Sequence, residues 1–280
     1  MNTLTPTQQW RMLTLKAKRQ VYTLLSGQNL SKLHGEGYDF SQLREYQTGD
    51  DIRKINWLLT AKMGKPYIKE LHADRELSVV VAALIDGSLY FGSTNAKQKK
   101  LTEVATLLAY ATQHNGNLFT GFCCTQQICS ITPPTKQIYP IEQFSKTLFD
   151  APLLYTNLDH KSTLQELFTH IRKPSLLFVL SDFLEDVDLS LLSQKHEVIA
   201  IIIRDAEEEH PKRLSEVTFT SSKDGKQLQT HFNKKSIENY LSKLKAHDHK
   251  LQGHFTAYNI RFIKIFTHDE AVGKLLKLFA

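Results

Sequence analysis

The sequence predicts an α/β fold: a doubly wound, mostly parallel sheet with an N-terminal helix and a small β elaboration. Apolar, strand-like runs at residues 77–85, 117–124, 175–180 and 197–203 alternate with segments of helical periodicity. Because such runs are apolar on both faces, they are typical of strands that helices cover from both sides. Strands and helices in alternation favour a parallel sheet with crossover connections.

The remaining elements follow in order from their local patterns. Apolar residues at helical spacing predict a first helix over residues 5–25, which Ser26 and Gly27 end. The same spacing predicts helices at residues 96–114, 141–148, 162–171, 236–250 and 269–279. Further strands are expected at residues 127–132, ending before Pro133-Pro134, and at residues 260–266.

A β-hairpin is predicted at residues 217–232, turning at Asp224-Gly225, because this dipeptide suits the positive φ of tight hairpin turns. We expect residues 1–76 to form a helix and a β-rich segment packed on the core. Residues 77–280 would form the main domain, with a hairpin and helix inserted at about 214–254.

Composition excludes several classes of protein. Of the 280 residues, 41% are hydrophobic, and Lys and Arg number 35 against 29 Asp and Glu. This mild basic excess lacks the dense stripe of a nucleic-acid-binding protein. Residues 1–8 hold no apolar signal core, and no segment approaches the roughly 20 apolar residues of a membrane span. We therefore expect a cytoplasmic protein with no nucleic-acid partner and no integral membrane association.

Two predicted strands end in an aspartate, at the edge where open α/β sheets bind ligands. Asp86 follows the strand at residues 77–85, and Asp182 follows the strand at residues 175–180. A carboxylate backed by apolar residues is costly unless its charge is compensated. Magnesium, which prefers oxygen ligands and water, is one candidate. The N-terminus of the helix after each strand is the other.

The pattern Asp86-x-Ser88 resembles the opening of the metal-dependent adhesion site of von Willebrand factor A domains, which reads Asp-x-Ser-x-Ser. That resemblance implies a magnesium site in which Thr163, at a helix start, and Asp182, after the fourth strand, join Asp86 and Ser88. Tyr90 replaces the second serine. Its phenol oxygen lies further from the backbone, so the site is degenerate and holds magnesium weakly or not at all.

A second set of motifs lies nearer the N-terminus and resembles the bacterial domain-of-unknown-function family number fifty-eight. The motifs are Gly35-x-Gly37-x-Asp39-Phe40, Arg44-x-Tyr46, Gly49-Asp50-Asp51-x-Arg53-x-Ile55-x-Trp57 and Ala61-Lys62. The resemblance runs from about residue 35 to about residue 187. It implies a von Willebrand factor A-like fold, a gene partnership with MoxR-type AAA+ ATPases that remodel other proteins, and no established enzymatic activity.

The string around Asp50 and Asp51 has two interpretations. Charged and apolar residues alternate in it as in a half-buried strand, so Arg53 is expected to clamp a carboxylate while Ile55 and Trp57 pack inward. Alternatively, the acidic pair meets a basic surface of a partner.

These patterns predict a non-enzymatic protein-interaction module, an adaptor for a MoxR-type ATPase or its client. The sequence holds neither a phosphate-binding P-loop nor a Gly-x-Ser-x-Gly elbow. Partners would dock through the metal or, without it, through the shape and hydrogen bonds of the same loops. The alternative is a magnesium-dependent phosphoesterase or nuclease that uses Asp86 and Asp182. A third hypothesis is a scaffold held at the inner membrane surface by the basic first helix.

Overall fold

Strands and helices alternate along the chain much as the sequence pattern predicts. This computed structural model describes residues 5–26, 40–48, 50, 52–71, 77–91, 96–126 and 128–279. The strands are β1 (Phe40–Glu45), β2 (Tyr67–Leu71), β3 (Ser78–Leu84), β4 (Leu118–Cys124), β5 (Ile128–Thr135), β6 (Leu176–Ser181), β7 (Glu197–Arg204), β8 (Leu214–Thr220), β9 (Gln227–Phe232) and β10 (Arg261–Phe266). The α-helices are α1 (Pro6–Ser26), α2 (Trp57–Met63), α3 (Ala96–His114), α4 (Ile138–Asp150), α5 (His160–His170), α6 (Ser190–Ser193), α7 (Ala206–Glu209), α8 (Lys234–Ala257) and α9 (Ala271–Phe279).

Six strands form the central sheet, in the order β10-β7-β6-β3-β4-β5. All neighbouring pairs are parallel except β4 and β5. The chain therefore winds outward from β3 to one edge through β4 and β5, then returns to the other side through β6, β7 and β10. The predicted class is confirmed: a doubly wound, mostly parallel sheet of the von Willebrand factor A type, with an N-terminal helix and a small β elaboration.

Strand β3 shows why both faces of the sheet carry helices. Successive side chains of a strand point to opposite faces, and the described side chains of residues 79–84 are all buried. Val79, Val81 and Ala83 join a core cluster with residues of α1, α3, α4 and α9, whereas Val80, Ala82 and Leu84 join a second cluster with residues of α5, α6 and α8. The continuous apolar run thus requires a helical layer on each side.

Edge strand β5 is longer than predicted. It continues through Pro133 and Pro134 to Thr135, which pairs with Phe119 of β4. Proline cannot donate a hydrogen bond to a neighbouring strand, but an edge strand has one side on which no donor is needed. The prediction that the strand ends before the two prolines is therefore wrong.

Helix α1 packs against the helices of the core. Its Lys16 pairs with Glu103 of α3 at 2.6 Å, and Lys18 pairs with Glu142 of α4 at 2.7 Å. These two lysines of the basic first helix are thus engaged by core helices. Among the described residues, no helix is both long and apolar enough to cross a bilayer.

Residues 52–57 do not form the predicted half-buried strand. Residues 52–54 make a 3₁₀ turn, Ile55 forms only an isolated bridge, and Trp57 begins α2 with 66% of its surface exposed. The physical reason is local capping: the Asn56 side chain accepts a hydrogen bond from the Leu59 amide at 3.3 Å and starts a helix.

Other parts of that motif segment are not all described. Residues 35–39, Gly49 and Asp51 lie outside the described residues. Asp50 accepts a hydrogen bond from the Gln47 amide at 2.8 Å, which makes it part of a local turn. A bidentate partner for Arg53 stays a prediction.

The predicted hairpin is present as β8 and β9, and it turns through Gly225 at a φ of 71°. Both strands are mostly exposed. At its base, the ring of Phe232 lies 6.3 Å from that of Tyr240 in α8, in an edge-to-face contact. The turn at the other end, residues 221–226, is called the hairpin tip below.

Candidate functional site

Asp86 and Asp182 come together at the switch point of the sheet. They follow β3 and β6, which are neighbouring parallel strands, so their carboxyl ends meet at one edge. The connection after β3 leads to β4 on one side, and the connection after β6 leads to β7 on the other. Doubly wound folds form a ligand crevice where neighbouring connections diverge in this way. Both aspartates are 4% exposed. The two strand ends that the sequence singled out therefore lie side by side in the sheet.

The loop after β3 wraps around the Asp86 carboxylate. Its Oδ1 atom accepts hydrogen bonds from the Ser88 amide at 2.8 Å and from the Ser88 hydroxyl at 2.6 Å. These bonds close a short 3₁₀ turn, Gly87–Leu89, in which Asp86 is the N-cap. Oδ1 is thereby saturated from within the loop, and Oδ2 is left to face the rest of the site.

Oδ2 of Asp86 receives an ammonium group from a distant part of the chain. Lys223, in the hairpin tip, places Nζ 2.6 Å from this oxygen and 2.6 Å from Oε1 of Glu185. Burial lowers the pKa of Lys223, but the hydrogen bonds with Asp86 and Glu185 raise it above its ordinary value overall. The side chain therefore stays charged. His160, at the start of α5, lies beside Glu185, with Nε2 3.3 Å from Oε2.

Asp182 is neutralised by a different lysine. Lys97, in the first turn of α3, is fully buried and places Nζ 2.9 Å from Asp182 Oδ2 and 2.6 Å from Glu208 Oε1. Burial raises the pKa of Asp182, but the Lys97 charge, the nearby Ser88 hydroxyl and the Leu184 amide together lower it below the ordinary value. Asp182 is therefore ionised and locked in a buried ion pair.

Glu208, the second carboxylate that Lys97 contacts, is itself positioned by hydrogen bonds. Its Oε2 atom accepts a hydrogen bond from the Asp205 amide at 2.8 Å, and the Asp205 side chain caps the same turn in return. This capping box at the end of β7 fixes Glu208 so that its second oxygen faces Lys97.

Two residues with left-handed backbone border the site. Phe183, directly after Asp182, has a φ of 48°, and Tyr155 has a φ of 63°. Such angles are strained in residues other than glycine, and they persist where surrounding contacts hold them. The Phe183 ring is 1% exposed, and its carbonyl accepts hydrogen bonds from Arg204 and His247. The turn that sets the direction of Asp182 is thus fixed by packing on its far side.

The predicted metal ligands are placed unequally by the structure. Asp86, Ser88 and Asp182 form one cluster, since the Ser88 hydroxyl donates to Asp86 and also contributes to the pKa of Asp182. Thr163 is buried in the first turn of α5. Among the described residues it is not one of the donors to the two carboxylates, so its role as a ligand stays a prediction. Tyr90 is 37% exposed at the end of the 3₁₀ turn.

The oxygen donors of this cluster fit a hard divalent cation. Two carboxylates and a hydroxyl meet at one edge, which is the ligand chemistry that magnesium prefers. The two ammonium groups, however, already occupy Oδ2 of each aspartate. Counting charges, the carboxylates of Asp86, Asp182, Glu185 and Glu208 outnumber the ammonium groups of Lys97 and Lys223 by four to two. The cluster therefore keeps a net negative charge.

Sequence reasoning did not find the five partners Lys97, Lys223, Glu185, Glu208 and His160. One ring nitrogen of His160 and one carboxylate oxygen each of Asp86 and Glu185 lie within 4.8 Å of one another, a spacing compatible with a shared cation. Lys97 carries one weak local signal, its position in the first turn of the helix after β3. The only local signal at Lys223 is its position beside the Asp224-Gly225 turn, and the neighbouring sequence does not indicate which surface that turn contacts.

The fold and this cluster define a von Willebrand factor A-like protein with a lysine-neutralised acidic site at its switch point. The chain belongs to the family described as Protein of unknown function DUF58, whose model matches residues 42–250. The match runs past residue 187, where the motif resemblance ends, and it includes the hairpin.

Three mycobacterial proteins are similar in sequence to this chain. An uncharacterized protein of Mycobacterium bovis is 23% identical over 222 residues, which cover 77% of this chain and 70% of that protein. Uncharacterized proteins from two strains of Mycobacterium tuberculosis match with the same identity and coverage.

Two solved structures align with most of this chain. The conserved hypothetical protein BatB from Bacteroides thetaiotaomicron aligns with a TM-score of 0.42 at 9% identity, covering 72% of this chain and 96% of that one. An aerotolerance-related membrane protein from Bacteroides fragilis aligns with a TM-score of 0.41 at 10% identity, with the same coverages.

Proposed function

We propose that this protein is a non-enzymatic, cytoplasmic interaction module that serves as an adaptor for a MoxR-type AAA+ ATPase in protein remodelling or complex maturation. The observation that carries the proposal is the cluster of Asp86, Ser88 and Asp182 at the sheet edge where such folds bind ligands. The link to a MoxR-type ATPase rests on the resemblance of the N-terminal motifs.

The bonding of the cluster favours docking over catalysis. Ser88 donates its hydroxyl proton to Asp86 rather than to a histidine base, so it is not arranged as a nucleophile. Asp182, the second carboxylate that a phosphoesterase would need, is buried and bound to Lys97. Hydrolysis requires an acid or base that can approach the substrate, and a carboxylate held in this way is poorly placed for it.

A bound magnesium ion would be held by Asp86, Ser88, Thr163 and Asp182, and it would offer an open coordination position to a carboxylate of the partner. The chain itself contributes the rest of the docking surface. A cleft lies beside the loop after β3, and Thr156, whose carbonyl accepts from the Gly87 amide at 3.0 Å, lines it. A partner segment in this cleft would lie beside the loop that contains Asp86.

The test is the affinity of the purified protein for a purified MoxR-type ATPase, measured by biolayer interferometry with ATP and with ADP. We expect Asp86→Asn to weaken binding about tenfold or more, because a buried, charge-assisted contact is lost. The matched control is Glu238→Gln on the exposed surface of α8, which should bind like wild type. If wild-type protein binds the ATPase in neither nucleotide state, the adaptor proposal is wrong.

A parallel assay addresses the enzymatic alternative. Wild-type protein and Asp182→Asn are incubated with bis-(p-nitrophenyl) phosphate and magnesium or manganese. We expect no turnover above buffer for either protein. Turnover that Asp182→Asn abolishes would replace the adaptor proposal with a phosphoesterase.

A further inference from the structure

The hairpin tip is attached to the site although the rest of the hairpin is not. Both strands of the hairpin are mostly exposed. At the tip, the Ser222 carbonyl accepts a hydrogen bond from the Tyr155 amide at 2.7 Å, and the Ser222 hydroxyl donates to the Gly87 carbonyl. The hairpin is thus an arm whose end rests on the loop that contains Asp86.

Glycine at position 87 is needed for this contact. A Cβ atom there would lie 2.4 Å from the Ser222 carbonyl oxygen and 2.9 Å from the Lys223 nitrogen, distances that real Cβ atoms do not adopt. Backbone of the tip and backbone of the site loop therefore meet directly. A second contact is made by Gly225, whose added Cβ would lie 3.1 Å from the ring of Tyr155.

This attachment delivers a positive charge to one place. The Lys223 ammonium bridges Asp86 Oδ2 and Glu185 Oε1 at 2.6 Å each, and its side chain is 20% exposed. Since Asp86 Oδ1 is saturated by Ser88, Oδ2 is the oxygen that a metal ion would use. An ammonium group and a divalent cation cannot share that position.

We propose that the hairpin tip closes the docking site with a tethered cation: Lys223 occupies the metal position at Asp86, and a divalent cation binds only when the tip lifts away. The inference rests on the proposed function, because it assigns a regulated state to the same site. When the tip is closed, the positive charge of Lys223 offsets one carboxylate charge, so the site is stable without a metal ion. When the tip is open, the cluster carries one more net negative charge, which attracts a divalent cation.

The experiment is isothermal titration of manganese, and of magnesium, into the full-length chain. We expect Lys223→Met to bind manganese about tenfold or more tightly than wild type, because the competing ammonium is gone. The matched control is Lys226→Met, which removes the same charge from the same turn but from a side chain that is 84% exposed and paired only with Asp224 among the contacts described. It should titrate like wild type.

Two further variants keep the inference falsifiable. Gly87→Ala keeps a lysine at position 223 but displaces the tip that carries it, and it should also raise manganese affinity. Asp86→Ala combined with Lys223→Met should lose the gain. Circular dichroism establishes that each variant is folded. If folded Lys223→Met and Gly87→Ala bind manganese no more tightly than Lys226→Met, the proposal that Lys223 occupies the metal position is wrong.

A second readout follows the tip itself. Amide hydrogen exchange of residues 221–226 in the wild-type protein should increase when millimolar manganese is added, because the metal displaces the arm. Unchanged exchange at a concentration that saturates Lys223→Met would count against the inference. No partner is present in these assays, so they succeed or fail independently of ATPase binding. If the Lys223→Met variant binds manganese but does not bind the ATPase, the adaptor function is refuted and the proposed closure by the hairpin tip still stands.

Discussion

Asp86 and Asp182 are neighbours with the same burial, yet the lysines that neutralise them differ. Lys97 lies in a core helix, is fully buried and joins two carboxylates that are themselves buried. Lys223 lies at the end of an exposed hairpin, and one of its two carboxylates, Glu185, is 45% exposed. The two ion pairs have similar distances, so geometry alone does not separate them.

The difference teaches which charge is structural and which is removable. Taking Lys97 away would strand Asp182 and Glu208 in the protein interior, where unpaired carboxylates are costly. Taking Lys223 away leaves Asp86 beside Glu185, which is 45% exposed, and the Ser88 donors to Asp86 remain. We therefore assign Lys97 to the stability of the fold and Lys223 to the state of the site.

The largest expected effect tests this assignment directly. Lys97→Met should lower the free energy of unfolding by about 3–5 kcal/mol, because it leaves buried carboxylates without a partner. Lys223→Met should lower it by about 1 kcal/mol or less, as for partly exposed ion pairs. Urea denaturation at pH 7 measures both. Equal decreases in the free energy of unfolding would show that the two lysines contribute equally to the stability of the fold.

An intermediate effect is expected from the glycine under the hairpin tip. Gly87→Ala should speed amide exchange in residues 221–226 and lower the free energy of unfolding by about 1–2 kcal/mol, since the new methyl group forces a backbone shift. Gly253→Ala in α8 is the control, because nothing lies within 4 Å of its added Cβ. It should be neutral or stabilise by about 0.5–1 kcal/mol. Slow tip exchange in Gly87→Ala would contradict the close contact.

The smallest expected effect concerns acid. The pKa of Asp182 is lower in the folded protein than in the unfolded chain, so the unfolded chain binds the proton more readily. The stability that this group contributes is complete above about pH 4 and is lost as the pH falls below that value. Urea midpoints between pH 5.5 and 3 should fall less steeply for Asp182→Asn than for wild type. Parallel slopes would show that the Lys97 pair does not carry this dependence.

Local pattern was sufficient for most of the fold. Helix α3 has the predicted bounds, and the strands that lead to Asp86 and Asp182 are correct because their apolar runs have one stable environment, between two helical layers. Trp57 shows the limit. Its alternating neighbours resemble a strand, but a single capping interaction at Asn56 starts a helix there instead.

In the candidate site, too, some residues could be predicted from local sequence and others depend on long-range contacts. Asp86, Ser88 and Asp182 could be found from the sequence because each lies within a few residues of a strand end, and parallel strands bring their carboxyl ends to one edge. The Asp224-Gly225 turn was also predictable from its own residues. Which surface that turn contacts was not, because 135 residues separate Gly87 from Ser222.

The sequence by itself therefore determined the succession of strands and helices along the chain, the two buried carboxylates and the family. Only the tertiary structure decided how those carboxylates are compensated. A buried charge must be paired, but any cation within reach satisfies that requirement, whether a metal ion, a helix end or a lysine. The choice of Lys97 and Lys223 depends on how α3 and the hairpin pack against the sheet, and long-range packing of this kind leaves no periodic signal in the sequence.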